Sequence, residues 1–168
     1  VSIACTDADG KVLVGVVYDP MFDELFSAVR GQGATCNRVP IHVSSAPDLQ
    51  HALAASGFSG DLRPTNNNRA EWSAFVGRCQ GMARMGSCAL DLCYVACGRF
   101  DLYWEYGPTA IDRAAGALIV LEAGGRLSDV PGNPYHAIDS PSTFASNGLV
   151  HEEALAVLAQ ARASVHDG

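Results

Sequence analysis

The stretch "DLYWEYGPTAIDRAAGALIVLEAGG", residues 101–125, restricts the fold more than any other part of the chain. An aromatic, strand-like run ends in Glu105, and Gly107-Pro108 turns the chain. An apolar helix then opens around Asp112. Ile111, Ala114, Ala115, Leu118 and Ile119 recur at the spacing of one helical face, and Gly124-Gly125 ends it. Elements this apolar pack in layers. Each nevertheless carries a carboxylate at its mouth. Edge solvation alone would explain Glu105, and complementing the helix dipole would explain Asp112. Taken together, the two acids are expected to face one site, with Asp112 gripping a cation.

The rest of the chain supplies further elements of both kinds. The pattern predicts strands over 1–6, 12–18 and 24–30, a three-strand antiparallel meander turning at Asp9-Gly10 and again at 19–23. Residues 31–45 are glycine-punctuated with a short extended end, and 52–56 read as a short strand. A polar loop is expected over 60–68, then a helix over 69–79 with Trp72, Phe75, Val76 and Cys79 on one face. Residues 82–85 read as a strand, 86–99 as a helix capped by Ser87 and stopped at Gly98, and 100–105 as a strand. The helix after Glu105 spans about 109–123, short strands flank a loop over 131–141, and an amphipathic helix covers 151–164. The mixture lacks strict βαβ alternation, so a layered α/β (α+β) fold with antiparallel pairing is expected, as one domain over 1–168.

Composition narrows the function classes. Hydrophobic residues make up 48% and charged residues 17%, which is the profile of a globular chain. The net charge is −7 and Lys11 is the only lysine, which argues against a nucleic-acid partner. A phosphorylated substrate remains compatible, because a bound cation reverses the local field. No run is long enough for a membrane span. The six cysteines form no C-x-x-C pair, and Cys93 and Cys97 fall on an apolar helical pattern. They are expected to be buried reduced thiols in a cytoplasmic protein. The five histidines, His42, His51, His136, His151 and His166, lack ligand spacing and are expected on the surface. There is no G-x-S-x-G, Walker-type or H-E-x-x-H motif.

Three features therefore carry the chemistry. Gly86-Ser87-Cys88 opens a helix, where free N–H groups suit an anion. Glu105 ends a strand, and Asp112 starts a helix. Magnesium and similar hard cations take oxygen ligands of the kind carboxylates offer.

Four ordered stretches resemble the inositol monophosphatase family: 15–37, 85–105, 111–125 and 144–155. The most specific is "GSCALDLCYVACGRFD" followed by "DRAAG". The resemblance implies an α-β-α-β layered sandwich of the inositol monophosphatase and fructose-bisphosphatase type. It implies a Mg²⁺-dependent phosphomonoesterase acting on a small phosphorylated alcohol, often as a homodimer. Asp112 matches the family's metal-binding aspartate, Glu105 the glutamate that hydrogen-bonds substrate hydroxyls, and Gly86, Ser87 and Cys88 the segment lining the substrate pocket. The sequence departs from the family at Ile111, usually tryptophan, at Cys88, often alanine, and in the Pro108-Thr109-Ala110 approach.

The family's first metal site uses an upstream glutamate and an Asp-Pro-x-Asp-Gly-Thr/Ser motif preceding the strand matched by 1–6. By that comparison, 1–168 is expected to be a C-terminal portion, with the first metal site and the water-activating residues in a preceding part. "DPMFDE" at 19–24 imitates the motif, but Asp19 and Asp23 are read as turn and solvent residues. Two alternatives stand beside the main reading. One is a catalytically incomplete interaction or dimerisation module. The other is a parent enzyme specific for histidinol phosphate, sugar bisphosphate or 3'-phosphonucleotide.

Overall fold

The computed structural model describes residues 1–58 and 68–166, without the side chains of 165 and 166. The expected polar loop at 60–68, apart from Asn68, and the expected surface position of His166 lie outside this description. Among the described residues, ten strands and four α-helices run in the order β1 Ser2–Thr6, β2 Val12–Asp19, β3 Glu24–Val29, β4 Ala34–Cys36, β5 Val39–Pro40, β6 Leu53–Ser56, α1 Arg69–Phe75, β7 Gly81–Ala83, α2 Cys88–Ala96, β8 Leu102–Tyr106, α3 Ala110–Glu122, β9 Arg126–Ser128, β10 Ser142–Ser146 and α4 His151–His166. No helix among the described residues is long and apolar enough to cross a membrane.

The strands form two sheets. The first is an antiparallel meander, β1-β2-β3-β4-β5, extending the expected three strands by two. The second has the order β7-β6-β8-β10-β9, with β6 parallel to both β7 and β8 and the remaining pairs antiparallel. Alternation along β8 sends Tyr103 to one face and Leu102 and Trp104 to the other. Tyr103 joins a core with Leu92 of α2, Leu118 of α3 and Phe26 of the first sheet. Trp104 joins Phe75 of α1 and Leu158 of α4. The layers are therefore first sheet, α2 with α3, second sheet, and α1 with α4.

The α3 helix sits close to both β2 and α2 because two positions lack a Cβ. One built on Gly15 of β2 would lie 2.7 Å from the Ala115 carbonyl oxygen of α3. One built on Gly116 would lie 2.7 Å from Leu92 Cβ in α2. Neither obstruction is a side-chain tip that can swing aside.

Several local expectations need correction. The α1 helix ends at Phe75, not Cys79, and Val76 is 57% exposed. Gly77, at φ +85°, takes the chain out of the helix. Ile111 was expected on the buried face of α3 but is 79% exposed, because the buried part of the helix begins only at Arg113. Asp19 is 4% exposed, not a solvent residue. It accepts the Met21 N–H at 2.9 Å and the Tyr94 hydroxyl at 3.3 Å. Asp23 does take a turn position, at φ +53°. The cysteines are all free, but Cys5 is exposed rather than buried.

His151 is the remaining correction, being fully buried. Its Nδ1 lies 2.8 Å from Ser146 Oγ and its Nε2 3.2 Å from Ser128 Oγ, with the ring against Phe144. These hydroxyls satisfy a neutral ring and neutralise no positive charge.

Two predictions arise from this packing. Gly15→Ala forces α3 away from β2 and costs roughly 1–3 kcal/mol, a fall in thermal midpoint of about 2–10 °C by calorimetry. An unchanged midpoint would mean the layers are not in contact there. The second concerns pH. Burial, then the charge of Arg126, pushes His151 down from 6.5 to about 4. The unfolded chain therefore takes up a proton in this window while the folded chain does not, so stability falls as pH drops through it, by up to roughly 3 kcal/mol. Urea unfolding of His151→Gln should lack this component; parallel pH curves for both proteins would contradict it.

Candidate active site

The starts of α2 and α3 and the end of β8 open onto one cleft of about 650 Å³. All five residues singled out from the sequence line it: Gly86, Ser87, Cys88, Glu105 and Asp112. The layer packing brings these separate element ends together.

Each side chain is set by its local element. Ser87 has extended backbone angles, φ −140° and ψ 100°, and its hydroxyl accepts the Leu90 N–H at 3.5 Å as the cap of α2. Gly86 adopts φ +84° with open space beside it, so the left-handed turn requires glycine while the cleft side stays unobstructed. Cys88 is buried, and burial pushes its thiol up to about 12, so it stays neutral and unreactive as a nucleophile.

Asp112 Oδ2 accepts the Thr109 backbone N–H at 2.8 Å and the Thr109 hydroxyl at 2.6 Å. Holding the helix start this way orients the carboxylate toward the cleft. Oδ1 has no hydrogen-bond partner among the described residues and is available to a ligand. The helix-start role thus uses one carboxylate oxygen of Asp112 and leaves the other open.

Glu105 is held more firmly. It accepts a hydrogen bond from the buried Tyr103 hydroxyl. A Cβ on Gly57 would collide with its carboxyl group, so that glycine makes the cradle in which the group lies. Burial raises the Glu105 carboxyl; the Tyr103 hydrogen bond opposes this, the charge of Asp112 adds to it, and Arg84 opposes it. The charge of Asp112 acting on Glu105 places the two acids in one electrostatic environment.

Sequence reasoning missed Asp91, Arg84 and Gly57, which line the same cleft. Asp91 had a readable signal, as the only acid within the otherwise apolar α2. Arg84 and Gly57 follow short strands, β7 and β6, and carry no pattern of their own. Three carboxyl groups against one guanidinium leave this wall negative.

The donor chemistry is that of a hard-cation site in part. Asp112 offers an unobstructed carboxylate oxygen. No three His, Cys, Asp or Glu side chains gather closely enough among the described residues to hold a metal ion by themselves. The residues present thus fit one carboxylate ligand of a Mg²⁺-like ion, a kind of cation that commonly takes one or two carboxylates with water and phosphate oxygens.

Known proteins resemble this chain over most of its length. The model of the inositol monophosphatase family matches residues 1–166. An inositol-1-monophosphatase of Synechocystis is 44% identical over 147 residues, 87% of this chain and 51% of that protein. The Nus factor SuhB of Pasteurella multocida is 42% identical over 144 residues, 85% of this chain and 54% of its own length. The solved inositol monophosphatase of Anabaena superposes with a TM-score of 0.91 at 41% identity, covering 95% of this chain and 63% of that one. The chain spans about half the length of the curated relatives it matches. With its layered α+β architecture and this match, the chain belongs to the inositol monophosphatase family.

Proposed function

We propose that this protein works in the hydrolysis of a small phosphate monoester, with Mg²⁺ held in part by Asp112. The observation that carries the reading is the meeting of Asp112, Glu105 and the Gly86–Cys88 turn on one cleft. Relatives named inositol-1-monophosphatase support the substrate class.

The chain's own groups divide the work. Asp112 presents a carboxylate oxygen at the mouth of α3. Glu105, fixed by Tyr103 and the Gly57 cradle, accepts hydrogen bonds from the alcohol portion. The α2 turn lines the pocket, and its glycine leaves space for the substrate. Cys88 remains a neutral wall residue, so no covalent intermediate forms on it. A phosphate dianion beside these carboxylates needs countercharge. A bound Mg²⁺ would supply that charge and polarise a phosphate oxygen or water. Its other ligands would be water, substrate oxygens or side chains outside the described residues.

The test is Asp112→Asn in the full-length protein. Phosphate release should fall by roughly 100-fold or more, the several kcal/mol that a metal ligand contributes. The magnesium concentration for half-maximal rate should rise with it. Activity and magnesium dependence close to wild type would refute the assignment. A protein serving only as an assembly module would release no phosphate from any ester, before or after the substitution.

A further inference from the structure

Asp91 has a chemistry that the proposed hydrolysis leaves unused. It lines the cleft although its side chain is only 1% exposed. The Ser87 backbone lies close enough to its carboxyl to favour the charged form. Its Oδ1 is buried and has no hydrogen-bond partner among the described residues. An unsatisfied buried acceptor of this kind costs on the order of 1–3 kcal/mol, and more when charged. Native interiors retain such a cost where a ligand group relieves it.

The surroundings indicate which group that is. Burial, then the charge of Glu105, pushes the Asp91 carboxyl up to about 7. Among the described residues no cationic side chain acts on it; Arg84 exerts its effect on Glu105 instead. The missing partner is therefore a hydrogen-bond donor, and Glu105 beside it accepts donors as well. A hydroxyl group suits a carboxyl near its titration point, because it can donate to the ionised form and accept from the protonated one. An ammonium group only donates and cannot accept from the protonated form.

We propose that Asp91 is a specificity-determining residue: with Glu105 it selects an alcohol portion bearing at least two hydroxyl groups, one directed to each carboxyl group. The selection rests on the phosphate-monoester reading above. It places substrate discrimination on the fourth residue of α2 as well as on the end of β8.

The experiment compares the full-length wild type with Asp91→Asn, which keeps side-chain shape, in two arms. The first measures binding of free myo-inositol by calorimetry. The second measures kcat/KM for inositol 1-phosphate and for p-nitrophenyl phosphate, which has no hydroxyl groups. Asp91→Asn should weaken inositol binding ~10-fold or more, the equivalent of one hydrogen bond to a charged group. It should also lower the preference for inositol 1-phosphate over p-nitrophenyl phosphate by ~10-fold, mainly through KM. Gly57→Ala, whose new methyl group displaces only the Glu105 carboxyl tip, should move both readouts in the same direction with cooperative unfolding retained. A preference within about twofold of wild type, wild type that does not bind inositol, or a larger loss for the cationic histidinol phosphate would each overturn the proposal. If wild type hydrolyses neither ester, the phosphatase reading fails, and the inositol-binding arm still decides the role of Asp91.

Discussion

The close approach of α3 to β2, made possible by Gly15, is the contact on which the rest of the architecture depends. It brings α3 against the first sheet while Gly116 lets α2 lie against the other side of the same helix. The second sheet then closes over the pair, with Tyr103 reaching into their core. Had either glycine carried a side chain, the helices would stand farther off and their starts would no longer open onto the end of β8. The cleft is a product of this packing more than of any loop.

The electrostatics of the cleft follow from the same geometry. Asp91, Glu105 and Asp112 come from three elements and share one wall, with Arg84 as the cation acting on Glu105. Burial raises the carboxyls of Asp91 and Glu105 above their ordinary values. Tyr103 and the Gly57 cradle hold Glu105 in place, while Thr109 holds Asp112. These contacts fix side chains before a ligand arrives, which reduces the ordering cost of binding.

Much of the fold was legible because its signals are local. The α3 helix announces itself by apolar spacing and closing glycines, and Ser87 caps α2 as its residue type and place indicate. The errors have equally physical causes. Ile111 matches the apolar spacing of α3, but it lines the open cleft at the helix start and stays exposed. His151 belongs to a residue type usually found at the surface, yet Ser146 and Ser128 satisfy its nitrogens and permit burial. Asp19 resembles an ordinary turn residue, but Tyr94, far along the chain, covers it.

By itself, the sequence determined which residues could do chemistry here: the α2 turn, Glu105 and Asp112, each marked by its position at the end of an element. It determined those elements too, because helix caps, glycine stops and alternation act over a few residues. Only the tertiary structure decided that the three ends meet, and that Asp91, Gly57 and Arg84 join them. The reason is range. A cap is a contact between near neighbours, whereas a cleft arises where layers built from distant segments come together, and its depth, charge and unsatisfied acceptor exist only after they have packed.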